Sequence, residues 1–135
     1  MSESWNNRTK LVHGGTRRSQ YGEVSEAIFL TQGFVYDSAE QAEARFIETG
    51  PDEFIYGRYG NPTVAMFEER IALLEGAEDA FATASGMAAV NGALTSMLKA
   101  GDHVVSAQAL FGSCLYILEG ILSRYGVEVT FVDGT

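Results

Sequence analysis

The hydrophobic pattern divides the chain into an irregular first part and a regular second part. Through about residue 35, apolar positions follow neither a helical nor a strand period. The first clear element is a short helix over about residues 39–49, because Ser38 and Gln41 form a capping-box pair and Gly50 precedes a proline. The sequence therefore predicts an N-terminal arm and a short helix over residues 1–50.

A second helix is predicted to begin at Asn61, a favoured N-cap residue that is followed by Pro62 at the first helical position. Apolar residues then recur three and four positions apart up to Gly76, as in a helix with one buried face. This stripe consists of Val64, Phe67, Ile71 and Leu74.

Strands and helices are predicted to alternate after this helix. Three strand-like runs, over residues 80–83, 103–107 and 127–132, enclose helical runs over residues 86–98 and 110–125. The order β-α-β-α-β is typical of a parallel or mixed sheet covered by helices, so the fold class is α/β. Because a three-stranded sheet leaves an open edge, we expect residues 51–135 to be the start of a larger, incomplete domain.

The charge is unevenly distributed. Four of the nine basic residues lie in the first eighteen positions, whereas the chain as a whole has eighteen acidic residues and a net charge of −9. This balance argues against non-specific binding to nucleic acid. The arm also contains apolar residues, so we expect it to pack against an oppositely charged surface elsewhere in an oligomer.

The remaining composition narrows the class of protein. With 46% hydrophobic and 20% charged residues, the chain has the balance of a soluble globular protein. The charge-free run over residues 80–98 contains polar residues and changes its period, so no membrane span is predicted. The single Cys114 cannot form an internal disulfide or, with two histidines, a zinc site. The polar start favours a cytoplasmic location.

The first candidate binding residues, Ser85, Gly86 and Met87, join the first predicted strand to the helix that follows it. Free N–H groups and the positive end of a helix dipole attract an anion there, and a glycine lets another group approach the backbone. The alternative is an ordinary strand-to-helix turn in which Ser85 is only the N-cap.

Two further candidates lie elsewhere in the sequence. Arg58 follows Tyr56 in the run YGRYGNPT, and its guanidinium is a planar fork that suits a phosphate or a carboxylate. The alternative is a solvated loop before a capped helix. Phe111 follows the second predicted strand at the carboxyl edge of the sheet, where open α/β sheets bind ligands, although an aromatic residue there is commonly part of the core.

In their order and spacing, these features resemble the cystathionine synthase/lyase family of pyridoxal-phosphate enzymes. Four motifs carry the resemblance: HGG at 13–15, YGRYGNPT at 56–63, ATASGMAAV at 82–90 and AGDHVVSA at 100–107. It extends from about Thr9 to the end of the chain, and ALFGSC at 109–114 is most similar to O-succinylhomoserine sulfhydrylases. It implies an N-terminal arm followed by the first part of the large domain of an aspartate aminotransferase-like, fold type I transferase.

The resemblance also implies pyridoxal 5'-phosphate as the cofactor. Six residues would contact it: Tyr56, Arg58, Ser85, Gly86, Met87 and Phe111. Phe111 would stack on the pyridine ring, and the turn at residues 85–87 would bind the phosphate. Tyr56 and Arg58 would reach the cofactor phosphate of the neighbouring subunit in a homotetramer that is a dimer of dimers, and the arm would lie across the partner subunit.

The resemblance further implies a sulfhydrylase of methionine biosynthesis, which replaces the succinate of O-succinylhomoserine with sulfide to give homocysteine. The family's Schiff-base lysine is expected beyond Thr135, since neither Lys10 nor Lys99 stands in its context, so the segment alone is expected to be inactive. Alternatives within the family are cystathionine γ-synthase and a γ-lyase that acts on cystathionine or methionine. An alternative from another class is a non-catalytic remnant or binding partner.

Overall fold

Helices and strands alternate irregularly along residues 4–134, the part of the chain that the computed structural model describes. They belong to two compact units, Met1–Ala82 and Thr83–Thr135. The first unit contains helices α1 (Asn7–His13), α2 (Ala39–Ile47) and α3 (Pro62–Glu75). The second contains α4 (Gly86–Met97), β1 (His103–Ala107), α5 (Gly112–Tyr116) and β2 (Glu128–Val132). The boundary at residue 50 between the arm and the large domain stays a prediction.

Helix α1 lies within the predicted arm, where the sequence shows no helical period. The helix begins because the Asn6 side chain accepts a hydrogen bond from Thr9 N at 3.0 Å, which caps one of its first N–H groups. It has only seven residues, about two turns. Two turns are too few for a 3.6-residue period to emerge from the sequence.

Helices α2 and α3 begin at the residues that their caps predict. Ser38 Oγ accepts from Gln41 N at 3.1 Å at the start of α2. Asn61 caps α3, Pro62 occupies its first turn, and Gly76 ends it in the left-handed conformation with a φ of 65°. Helix α2 ends at Ile47, because Glu48 already has an extended backbone.

The arm packs against α3 of its own unit. Lys10 Nζ donates to Leu73 O at 3.2 Å, and Arg70 Nε donates to Gly14 O at 3.1 Å. Arg70 also donates to Glu26 at 3.0 Å, and this hydrogen bond holds the pKa of the Glu26 carboxyl below its usual value. The arm and α3 thus use side chains to satisfy backbone carbonyl groups, those of Leu73 and Gly14, that accept no hydrogen bond within a helix or a sheet.

The buried face of α3 is not the predicted one. Met66 and Ala72 are buried in this unit, whereas Val64 and Phe67 from the predicted stripe are 41% and 55% exposed. The difference arises because the arm covers the Met66 side of the helix, where Arg17 N donates to Met66 Sδ at 3.2 Å. Periodicity locates an apolar face but does not reveal what covers each side of a helix.

The predicted strand over residues 80–83 is absent from the described chain. The N–H groups of Ala80 and Ala82 donate to the side chains of Asp79 and Glu68, at 2.8 and 2.6 Å. Phe81 is 85% exposed. Within residues 4–134, no other segment forms a ladder with this one, and a strand without a ladder partner does not form.

Among residues 4–134, the sheet of the second unit therefore has two strands rather than the three predicted. Strands β1 and β2 are parallel, with His103 opposite Glu128 and Ala107 opposite Val132. The connection between the strands begins with α5 and continues through a π turn (Ile117–Ile121) and a 3₁₀ turn (Leu122–Tyr125). The single helix predicted over residues 110–125 therefore changes its hydrogen-bond pattern twice. The core consists of Ile117, Leu118, Leu122 and Val127.

Helix α4 packs against this core through Met87, Val90 and Leu94, and Leu98 packs there just after the helix ends. It accounts for twelve residues of the charge-free run. No helix within residues 4–134 combines the length and the apolar character that crossing a bilayer requires.

We predict that Gly15→Ala destabilises the protein more than Gly22→Ala does. Both glycines have a positive φ, 68° and 63°, which costs an alanine about 1 kcal/mol. A Cβ at Gly15 would also lie 2.7 Å from Met66 O, whereas one at Gly22 would meet no atom within 4 Å. This overlap adds about 1–3 kcal/mol. Urea unfolding of the two variants measures the difference, and equal losses would contradict the close docking of the arm on α3.

Candidate functional site

The turn before α4 leaves two backbone N–H groups available. Ser85 has an extended backbone, with φ −159° and ψ 158°, and its Oγ accepts from Ala88 N at 3.2 Å. Ser85 is therefore the N-cap. The N–H groups of Gly86 and Met87, the first two of the helix, have no acceptor within a helix by its geometry, and the capping hydroxyl does not take them.

Space next to these N–H groups is open. A Cβ built at Gly86 would meet no atom within 4 Å, and Ser85 and Gly86 are exposed. The Met87 side chain packs against the core of the unit, so the turn is anchored beneath its open side. Thr83 Oγ1 donates to Ser85 O at 2.7 Å and restrains the approach to the helix. The turn thus combines free donors, the positive end of a twelve-residue helix and room for an anion.

Phe111 lies just after β1, at the residue before α5, and its side chain is 71% exposed. Its carbonyl oxygen accepts from Cys114 N at 2.8 Å and from Leu115 N at 3.2 Å, so the backbone is held while the ring is not packed. In the described chain, Phe111 is therefore not a core residue.

Both helix starts belong to the same edge of the second unit. Strands β1 and β2 are parallel, so the crossover that begins with α5 runs back against them and starts at their carboxyl ends. Helix α4 leads directly into β1 and packs on the same core, so its N-terminus is also directed toward that edge. The structure thus brings Gly86, Met87 and Phe111 to the carboxyl edge, as open α/β sheets bring ligand-binding residues together.

Arg58 lies on an exposed loop of the first unit between two tyrosine rings. Its Cζ is 4.9 Å from the ring centroid of Tyr56 and 5.2 Å from that of Tyr59, both within cation–π range. No carboxylate among residues 4–134 lies within ion-pair distance of it, unlike the arginines at positions 17, 45 and 70. Its donors are thus not engaged by a carboxylate of the described residues, and their planar arrangement suits an anion.

The loop that carries Arg58 is attached to a segment of the arm. Gly57 N donates to Gln32 O at 2.7 Å, and Tyr56 Oη donates to Gln32 Oε1 at 3.4 Å. An open groove of about 590 Å³ lies beside the loop and is lined by arm residues 28–32 together with Arg58. The sequence does not predict that Gln32 holds this loop, because the contact joins residues 24 positions apart and the arm shows no hydrophobic period.

The candidate residues thus form two groups: Tyr56 and Arg58 on one loop of the first unit, and Ser85, Gly86, Met87 and Phe111 at one edge of the second. In the second unit, the free backbone donors suit the phosphate of pyridoxal phosphate and the exposed aromatic ring suits its pyridine ring, so these residues fit the cofactor that the sequence resemblance implies. In the first unit, the guanidinium of Arg58 by itself suits a phosphate.

Comparisons with known proteins agree on one family. A family described as "Cys/Met metabolism PLP-dependent enzyme" matches residues 8–135. The chain is 54% identical over 123 residues to the O-succinylhomoserine sulfhydrylase of Mycobacterium tuberculosis, covering 91% of this chain and 30% of that protein. It is 46% identical over 127 residues to the L-methionine gamma-lyase of Fusobacterium nucleatum subsp. polymorphum, covering 93% of this chain and 31% of that protein. The chain thus spans about three tenths of the length of these relatives.

A solved structure shows the same fold. The metY protein of Campylobacter jejuni superimposes with a TM-score of 0.89 at 28% identity, over 96% of this chain and 32% of that one, and it carries an N'-pyridoxyl-lysine-5'-monophosphate. The likeness confirms the predicted fold class, the first part of a fold type I large domain.

We predict that Phe111→Ala leaves the stability of the cofactor-free protein within about 0.5 kcal/mol of the starting protein, because the ring is exposed. Leu122→Ala is the matched control, since Leu122 is 2% exposed in the core and its truncation costs about 2–5 kcal/mol. Thermal unfolding of the two apoproteins measures the contrast. Equal losses would identify Phe111 as a core residue.

Proposed function

Because the chain belongs to the Cys/Met metabolism family of PLP-dependent enzymes, we propose that the full-length protein is an O-succinylhomoserine sulfhydrylase. The family resemblance carried by the four sequence motifs is confirmed. The observation that supports the sulfhydrylase over a lyase is the 54% identity to an O-succinylhomoserine sulfhydrylase, against 46% to a methionine gamma-lyase. In the proposed reaction, the bond between the γ carbon and the succinate oxygen breaks and a carbon–sulfur bond to sulfide forms, which gives homocysteine and succinate.

Pyridoxal phosphate is the cofactor of this family, and it supplies an electron sink for the negative charge that develops on substrate carbon. In our proposal, the N–H groups of Gly86 and Met87 bind the cofactor phosphate at the start of α4, with Ser85 holding the turn. This assignment is supported by the two available donors and by the open space at Gly86.

Phe111 is proposed to stack on the pyridine ring. Its exposed ring at the carboxyl edge supports this role, since most of its surface remains available to a ligand. A phenylalanine has no hydroxyl group, so it orients the ring without exchanging a proton.

Tyr56 and Arg58 are proposed to reach the cofactor phosphate of a neighbouring subunit. The support is that Arg58 lies on an exposed loop with two flanking rings and no carboxylate partner among the described residues. Enzymes of this family are typically oligomeric, and the proposed assembly is a dimer of dimers. The cytoplasmic location stays a prediction.

Neither lysine in the sequence is proposed to hold the cofactor covalently. Lys10 Nζ donates to a backbone carbonyl of α3, and Lys99 follows the C-terminal end of α4, about 18 Å of helix away from Gly86. On this proposal, residues 1–135 alone are inactive. The remaining alternatives are cystathionine γ-synthase, a γ-lyase for cystathionine or methionine, and a non-catalytic protein.

We expect the full-length protein to convert O-succinylhomoserine and sulfide into homocysteine and succinate in equal amounts. Parallel assays with L-methionine, with cystathionine, and with cysteine in place of sulfide test the alternatives within the family. Product from methionine or cystathionine in the absence of sulfide, with none from O-succinylhomoserine, would favour a γ-lyase. Absence of turnover with every substrate, in the cofactor-loaded protein, would favour the non-catalytic alternative.

Arg58→Ala is expected to raise the Kd for pyridoxal phosphate by roughly ten- to a hundredfold, because hydrogen bonds to a charged group contribute about 1.5–3 kcal/mol. Arg58→Lys should recover only part of the affinity, since an ammonium group lacks the planar fork. Arg124→Ala removes the same charge from an exposed position in the other unit and should leave the Kd unchanged. Titration of the apoproteins measures all three. Unchanged affinity in both Arg58 variants would mean that Arg58 lies on a solvated loop and does not bind the cofactor.

A further inference from the structure

Asn61 has more contacts than a helix cap requires. Its Oδ1 accepts from Thr63 N at 2.8 Å, which is the ordinary capping bond of α3. Its Nδ2 donates two more hydrogen bonds, to Phe29 O at 3.0 Å and to Thr31 O at 3.1 Å. Both amide hydrogens are thus used on the arm, about thirty residues earlier in the sequence.

Thr63 strengthens the same attachment. Its Oγ1 accepts from Phe29 N at 2.8 Å, so the N–H and the C=O of Phe29 both bind side chains at the start of α3. Residues 29–31 belong to no strand. These side chains therefore provide the hydrogen bonds that a neighbouring strand would otherwise supply.

The attached segment continues directly into the residue that holds the loop of Arg58. Gln32 O accepts from Gly57 N at 2.7 Å, and Gly33 forms an antiparallel bridge with Tyr56. The contact is close, because a Cβ at Gly57 would lie 3.2 Å from Gln32 Cα. The chain thus forms a closed ring from Asn61 to residues 29–31, to Gln32, to Gly57 and back along the backbone through Arg58.

From this ring we infer that Asn61 is a positioning residue for Arg58, acting through the two hydrogen bonds that it donates to the arm. The inference rests on the proposed role of Arg58 in binding the cofactor phosphate. If the arm segment is released from Asn61, the loop of residues 56–60 loses its fixed neighbour and populates conformations in which Arg58 is misplaced. The measured Kd then rises in inverse proportion to the fraction of protein in the competent conformation.

The matched variants are Asn61→Ser and Asn6→Ser. Serine is as good an N-cap as asparagine and is uncharged, so Asn61→Ser keeps the cap and removes only the two donors. Asn6 caps α1 by accepting from Thr9, and its Nδ2 makes no hydrogen bond within residues 4–134. Asn6→Ser therefore makes the same chemical change without affecting an arm contact.

In the full-length protein, we expect Asn61→Ser to raise the Kd for pyridoxal phosphate about three- to tenfold, as when the competent fraction falls to between a third and a tenth. Asn6→Ser should leave the Kd unchanged. Titration of the apoproteins and their melting temperatures are measured together. If Asn61 only caps the helix, the serine replaces it and neither the melting temperature of the apoprotein nor the Kd changes. A lower melting temperature with an unchanged Kd would give the two hydrogen bonds a structural role only and would overturn the inference.

Repeating Asn61→Ser in an Arg58→Ala background separates this inference from the proposed function. If Asn61 acts through Arg58, the second substitution adds less than a twofold change there. A similar rise in Kd in both backgrounds, or no rise in either, overturns the inference. If Arg58→Ala alone leaves the Kd unchanged, it is the proposed function that fails.

Thr63→Val provides a second test in case Asn61→Ser does not fold. It removes the acceptor for Phe29 N and keeps the shape of the side chain. We expect a smaller rise in Kd that is likewise lost in the Arg58→Ala background. If the rise in Kd persists in the Arg58→Ala background, Thr63 does not act through Arg58 and the inference is overturned.

Discussion

The first unit depends on one constraint, namely that the backbone polar groups of an irregular arm must find hydrogen-bond partners without forming a sheet. Helix α3 satisfies this constraint along its whole length. Asn61 and Thr63 bind the arm backbone at the start of the helix, and Arg70 binds it farther along. Near the end of the helix the direction is reversed, since the Lys10 side chain donates to the carbonyl of Leu73. The helix that follows the Arg58 loop is therefore also the support of the arm, and the two cannot be displaced independently.

In the second unit, the residues that form the core differ from those that form the candidate binding edge. Its core is made by one side of α4 and by the residues from Ile117 to Val127, whereas the starts of both helices remain uncovered at the carboxyl edge of the strands. Met87 joins the two roles, because its side chain packs in the core while its N–H lies in the first turn of α4. On the proposed assignment, a ligand at that edge would meet backbone groups whose positions the core already fixes.

Local signals explain what the sequence predicts correctly. Ser38, Asn61 and Ser85 each cap the helix that their neighbours predict, and β1 lies at the expected residues, since caps and short apolar runs depend on adjacent positions. Contacts between distant segments were not predictable. The run over residues 80–83 forms no strand because it has no ladder partner, and the buried side of α3 depends on the arm. For the same reason, the motifs single out Arg58 but give no sign of the bonds from Asn61 to Phe29 and Thr31.

The ring of hydrogen bonds through Asn61 sets a limit on how the protein can diverge. Only two residues separate Arg58 from Asn61, so an inserted or deleted residue there would shift the guanidinium by up to about 3.5 Å relative to its support. At Gly22 the chain has open space around it and can change its length with little structural consequence. The spacing over residues 56–63 therefore tolerates a change of length less well than the turn at Gly22 does.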